Sequence, residues 1–184
     1  MMLPQSPPED DPARTAVLPE EAGWLAENAR LWADGMGYYT LQSSRPQTLA
    51  VALADSPLGL LAWLAEKFLA WSDRDASGRS LISDAALIDQ VALYWMSDSI
   101  GSSVRLYYDV AHARSEGARV SVPTGVAVFP REIMKTPRAW IAQRFNLVHW
   151  SLKPRGGHFA ALEVPELFIE EVRTFAAQIL GASL

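Results

Sequence analysis

The peptide Lys153-Pro154-Arg155-Gly156-Gly157-His158-Phe159 follows directly on a short β-rich run, Asn146 to Leu152. Histidine is the side chain whose proton affinity suits a general base near neutral pH. Two glycines before it let the backbone turn sharply and carry the imidazole over a strand end, which is where ligands gather in open α/β sheets. A histidine in a tight turn can equally bond a nearby carbonyl, and this peptide alone supports both readings. A second titratable group closes the preceding β-rich run, at Val128-Phe129-Pro130-Arg131-Glu132. A carboxylate beside the imidazole fixes its tautomer and stabilises its charged form. Taken singly, Glu132 reads as an ordinary acid in the first turn of a helix. Taken with His158, its placement at a neighbouring strand end reads as a base and its orienting acid.

Two tyrosine pairs, Tyr38-Tyr39 and Tyr107-Tyr108, stand in the first part of the chain. A phenol can donate a hydrogen bond to a developing alkoxide without itself being charged, and opening an ether ring needs such help. From composition alone, aromatic packing is the commoner use of these rings, and spacing does not choose one tyrosine of each pair. The other candidates are bland. His112, His149 and His158 lack metal-ligand spacing, no HExxH motif occurs, and neither a GxGxxG nor a Walker sequence is present. No metal and no cofactor is expected. Asp84 and Asp89 read as solvated helix acids, and the tryptophans as core.

These groups need elements to hold them. Residues 1–18 are rich in proline, which removes backbone donors and disfavours helix, so a disordered lead-in is expected. Pro19-Glu20-Glu21 opens a helix to about Ala33, stopped by Asp34-Gly35. Leu58, Leu61, Ala62, Ala65, Phe68 and Leu69 recur at helical spacing behind a cap at Asp55-Ser56-Pro57. Ser83 precedes a second such run, Leu87, Val91, Tyr94 and Trp95, with a polar loop, 72–80, between them. Residues 19–112 therefore form a helical subdomain. The period then changes. Arg119 to Phe129 and Asn146 to Leu152 are β-rich, a helical segment with Trp140 lies between them, and Pro165 to Leu180 is an amphipathic helix. Residues 113–184 thus read as a βαβα tail of a parallel sheet, with α/β as the fold class. Parallel sheets are buried on both faces, and two strands are few for one.

Composition narrows the classes further. Of 184 residues, 49% are apolar or aromatic and seven are Trp, which excludes an intrinsically disordered chain. The net charge of −5 has its signs interleaved, so no basic face exists for nucleic acid. The chain has no cysteine, hence no disulfide framework and no thiolate nucleophile. It carries no secretory h-region and no apolar run of about 18 residues, so a soluble, cytoplasmic protein without a membrane span is expected.

The segment Gly37 to Leu49 (GYYTLQSSRPQTL) resembles the cap peptide of microsomal-type epoxide hydrolases, and the likeness continues through Asp55 to Trp63 and Glu66-Lys67-Phe68. Tyr94-Trp95 and Ser102 to Tyr107 are similar to the family's second cap stretch; Val122 to Glu132 and Arg155 to Ala161 are similar to its tail. The resemblance covers roughly residues 20–180. It implies a partial α/β-hydrolase fold, with His158 as the water-activating base and Glu132 as its supporting acid. Tyr38 and Tyr107 would bind the epoxide oxygen, leaving packing roles to Tyr39 and Tyr108. The implied reaction forms an ester on a nucleophilic aspartate and hydrolyses it to a vicinal diol, with no cofactor and a small apolar epoxide as substrate. The family presents that aspartate in a Gly-x-Asp-x-Gly-like elbow before the cap, and no such peptide occurs here; Asp34, Asp55 and Asp109 cannot replace it by position. The expectation is therefore a chain without the nucleophile-bearing half, acting with a separate N-terminal half or associating with itself. The alternative is a non-catalytic remnant or binding module that keeps the cap pocket. A dehalogenase or esterase on the same fold is disfavoured, because its chemistry does not call for two phenolic donors.

Overall fold

In the computed structural model of the protein, which describes residues 6–7, 9–113 and 119–181, several helices start at a serine or a proline. The chain divides into two compact units, one formed by Met1–Trp32 with Ser115–Leu184 and the other by Ala33–Arg114.

The Ala33–Arg114 unit is all helix: α3 (Gly37–Ser44), α4 (Pro46–Asp55), α5 (Pro57–Trp71), α6 (Asp84–Met96) and α7 (Ile100–His112). Ser56 caps α5 by accepting from the Gly59 amide at 3.0 Å, and Ser83 caps α6 by accepting from Ala86 at 3.2 Å. Pro46 and Pro57 occupy first-turn positions, where a missing N–H costs nothing. Leu49, Leu53, Leu60, Val91, Ile100 and Val104 form the core, so four helices contribute to one apolar centre. The polar loop between α5 and α6 is ordered by an antiparallel bridge, Arg74 to Ser80, and by the buried Ser72 hydroxyl, 2.6 Å from that of Ser80.

The other unit holds α1 (Pro12–Thr15), α2 (Ala22–Arg30), β1 (Val120–Val128), α8 (Arg138–Arg144), β2 (Phe145–Leu152), α9 (Ala160–Glu163) and α10 (Pro165–Leu180). The strands pair in parallel from Val120↔Phe145 to Val128↔Leu152, with α8 on the crossover, giving the expected βαβα order. At Gly125 a Cβ would stand 2.7 Å from the Phe175 ring, so α10 packs on β1 only because that position is bare. Gly181, with φ at 65°, closes α10 in the left-handed region. Val122, Val148 and Leu152 of this two-stranded sheet are exposed, whereas parallel sheets are ordinarily covered on both faces.

Two expectations change. The helix at 22–30 reads with the helical block in sequence, yet it belongs to the strand-bearing unit. The buried Glu21 carboxylate accepts from the amides of Leu18 (2.9 Å) and Arg138 (2.8 Å). Asn28 donates to the Lys135 carbonyl at 2.8 Å, and its own amide oxygen accepts from the Lys135 N–H at 3.2 Å. Arg138 and Lys135 lie more than a hundred residues away from these partners, beyond what helical periodicity reports. The disordered lead-in is corrected in part. Asp11 caps a short helix over Pro12–Thr15, and the Trp140 indole N–H reaches the Ala13 carbonyl at 3.0 Å. Residues 1–5 and 8 of that lead-in lie outside the described residues.

Among the described residues no single helix is long and apolar enough to cross a membrane; α4 and α5 pass such a test only together, bent by 117°.

Candidate active-site residues

Pairing between the strand ends continues one step past β1 and β2. The Lys153 amide donates to the Val128 carbonyl at 2.9 Å, the Arg131 amide donates to Gly156 at 3.1 Å, and Arg131 bridges Gly157 in parallel. This short extension sets Glu132 and His158 side by side. The His158 Nδ1–H donates to Glu132 Oε1 across 2.7 Å, and the same oxygen accepts the Ile133 amide at 2.8 Å. A carboxylate on Nδ1 places the lone pair of the neutral ring on Nε2, the atom that would take a proton. The Glu132 side chain is partly buried, and His158 is exposed. Gly156 holds the turn at φ +108°, and the buried Glu163 carboxylate accepts the Phe159 amide at 2.8 Å, fixing the start of α9. Glu163 was not singled out from the sequence; its signal is a carboxylate four residues beyond a loop–helix junction.

Tyr38 on α3 and Tyr107 on α7 meet edge to face, with ring centroids 6.0 Å apart and planes at 81°. Burial pushes the Tyr38 hydroxyl up to about 12, and the neighbouring Tyr107 and Tyr39 add to the shift. Burial also raises Tyr107, helped by Tyr94 and opposed by a hydrogen bond with the buried Gln42. Both phenols are therefore neutral donors across the ordinary pH range. Tyr108 turns away and stacks on the His112 ring at 4.0 Å, so the geometry separates it from Tyr107. Tyr39 stays beside the pair, 6.0 Å from the Tyr107 ring. Gln42 was missed; it lies one turn beyond Tyr38 on the same helix, and only burial marks it. The His158–Glu132 pair and the tyrosine pair belong to different compact units.

A further polar cluster escaped the sequence. His149, Ser151 and Lys153 alternate along and just beyond β2, and all three bond Glu171 of α10. His149 Nε2 lies 2.6 Å from Glu171 Oε1. Burial by itself raises the Glu171 carboxyl, but hydrogen bonds from Lys153, Ser151 and His149, with the Lys153 charge, hold it below its ordinary value. A carboxyl lowered on folding adds stability that is complete above its unfolded value and is lost as pH falls through its folded one. Urea unfolding is thus expected to show stability declining with acid, and Glu171→Gln to flatten that decline. Equal acid sensitivity in the two proteins would contradict this role.

Among the described residues no group of three or more His, Asp or Glu side chains is arranged to hold a metal ion. A cleft of about 330 Å³ is lined by Pro154, Arg155, Glu163, Val164, Glu166 and Leu167. None of His158, Glu132, Tyr38 or Tyr107 lines it.

A helical unit, a parallel βαβα unit and a carboxylate-oriented histidine past the last strand together define part of an α/β-hydrolase fold. The chain is similar in structure to an Aspergillus niger epoxide hydrolase, with a TM-score of 0.83 and 30% identity over 97% of this chain and 44% of that one. It is similar to the juvenile hormone epoxide hydrolase of the silkworm Bombyx mori, with a TM-score of 0.79 and 31% identity over 89% of this chain and 42% of that one. In sequence it is 39% identical to epoxide hydrolase 1 of Sus scrofa across 151 residues, which are 76% of this chain and 33% of that protein. No protein-family model matches the chain. By sequence and fold the chain is the counterpart of the C-terminal portion of the epoxide hydrolases. It spans between about a third and two-fifths of the length of the curated relatives it matches.

Proposed function

We propose that this chain supplies the base, its orienting acid and two phenolic donors of an epoxide hydrolase, which adds water to a small apolar epoxide to give a vicinal diol. The observation that carries the reading is the Tyr38–Tyr107 pair, two half-buried phenols held neutral, as ether-ring opening requires. In the first step a carboxylate oxygen bonds to an epoxide carbon, the carbon–oxygen bond of the ring breaks, and a phenol donates its proton to the departing oxygen. In the second, His158 Nε2 takes a proton from water, and the resulting hydroxide attacks the ester carbonyl. The diol leaves, the carboxylate is regenerated, and the proton returns to the phenolate through solvent. The carboxylate nucleophile comes from outside these 184 residues, because no elbow peptide presents one within them.

The test is diol formation from styrene oxide by the chain alone and by the chain mixed with a separately expressed N-terminal half of a family relative. Negligible turnover alone and restored turnover in the mixture are expected, since loss of a nucleophile removes nearly all covalent catalysis. Turnover by the chain alone that vanishes in His158→Ala would overturn the need for an outside nucleophile. A stable but inactive mixture that still binds epoxide or diol would make the chain a binding module instead.

A further inference from the structure

Lys67 of α5 is an unusual neighbour for a proton donor. Its side chain is only 17% exposed, and its ammonium lies 4.9 Å from the centroid of the Tyr38 ring and 5.6 Å from that of Trp71. The two rings stand edge to face with centroids 5.1 Å apart, so the cation sits against an aromatic corner. Withdrawing an ammonium from water is costly unless other groups solvate it. Here the ring faces and the Glu66 carboxylate, 2.8 Å away and itself well exposed, take that part. Both rings offer the negative pole of their quadrupoles to a cation within about 6 Å.

The consequence falls on the phenol. Burial disfavours the phenolate of Tyr38, and a donor too reluctant to release its proton gives little help to a developing alkoxide. A positive charge over the ring favours phenolate over phenol and so opposes burial. Tyr107 has a different partner, the neutral amide of Gln42. The two phenols are therefore chemically unequal, although they share one contact.

We propose that Lys67 is a positioning residue which, through its ammonium over the Tyr38 ring, eases proton release from Tyr38 in epoxide opening. This rests on the functional reading given above. Glu66, Tyr39 and Tyr107 are titratable groups beside this corner among the described residues.

The test replaces Tyr38 by fluorotyrosine, whose lower intrinsic pKa brings its titration within the folded range, and follows the 19F resonance against pH. Lys67→Met is expected to raise that pKa by about half a unit to one unit, and Lys67→Arg to restore it. Circular dichroism checks folding, and Lys67→Gln carries the same expectation should the Met variant not fold. A pKa unmoved in the neutral variants, or raised as much by Arg as by Met, overturns the proposal and marks Lys67 as packing. In the chain reassembled with the N-terminal half, Lys67→Met should slow ester formation from styrene oxide about threefold to tenfold. If Tyr38→Phe leaves ester formation unchanged, the functional reading fails and the role of Lys67 fails with it. If Tyr38→Phe abolishes ester formation while the titration stays still, only the role of Lys67 falls.

Discussion

Replacing His158 with Ala in the reassembled enzyme is expected to lower diol formation by about 10²- to 10⁴-fold while ester formation continues. The asymmetry follows from where the imidazole acts. Its Nδ1–H donates to Glu132 at 2.7 Å, and in the proposed mechanism Nε2 deprotonates water only after the ring has opened. Without the base the ester should accumulate. Mass spectrometry of acid-quenched protein would then show one substrate mass added to the N-terminal half. Glu132→Gln keeps an acceptor at the same place but removes the charge that stabilises the imidazolium, so an intermediate loss is expected. Full turnover in His158→Ala would remove the base from this residue. Equal loss of ester formation would instead mean that the substitution had damaged the fold or the binding of substrate.

Gly156→Ala is expected to destabilise the strand-bearing unit by about 2–4 kcal/mol. Two independent costs meet there. The backbone sits at φ +108°, a conformation L side chains rarely adopt. An added Cβ would also stand 2.8 Å from both Phe129 Cδ1 and Val164 Cγ2, two buried side chains. Gly181→Ala separates the terms, because Gly181 also has positive φ (65°) but nothing within 4 Å of an added Cβ. Urea unfolding should therefore show Gly156→Ala as the more damaging by about 1–3 kcal/mol, the packing share. The same change should reduce turnover at saturating substrate, since the turn that moves is the one presenting His158. Equal destabilisation by the two alanines would show that the Phe129–Val164 wall yields to the added methyl.

Where the sequence was legible, the signal was local. A capping serine acts on an amide only three residues on, and α5 and α6 begin after Ser56 and Ser83. Val120–Val128 and Phe145–Leu152 are β-rich runs on either side of a helical segment, and Pro165 to Leu180 is the interval observed for α10. The parallel pairing follows from that order, since a helix between two strands of one sheet brings the second alongside the first in the same direction. Even the neighbouring placement of Glu132 and His158 follows, because adjacent parallel strands end on the same side.

Side-chain partnerships were another matter. Tyr107 and Tyr108 are indistinguishable by type and spacing, and only the packing of α7 turns one to Tyr38 and the other to His112. Glu21 reads as a first-turn acid, yet it is buried as the receptor for an amide more than a hundred residues distant. His149, Ser151 and Lys153 look like scattered polar residues until α10 brings Glu171 onto them. Lys67 carries no signal of this kind in the sequence, and only the packing of α3 sets a phenol ring beneath its ammonium. The sequence by itself determined the order and kind of the elements, because caps, turns and periodicity act between residues a few positions apart. The tertiary structure alone decided which polar groups meet and how strongly each holds its proton, because burial and charge depend on neighbours supplied by distant parts of the chain.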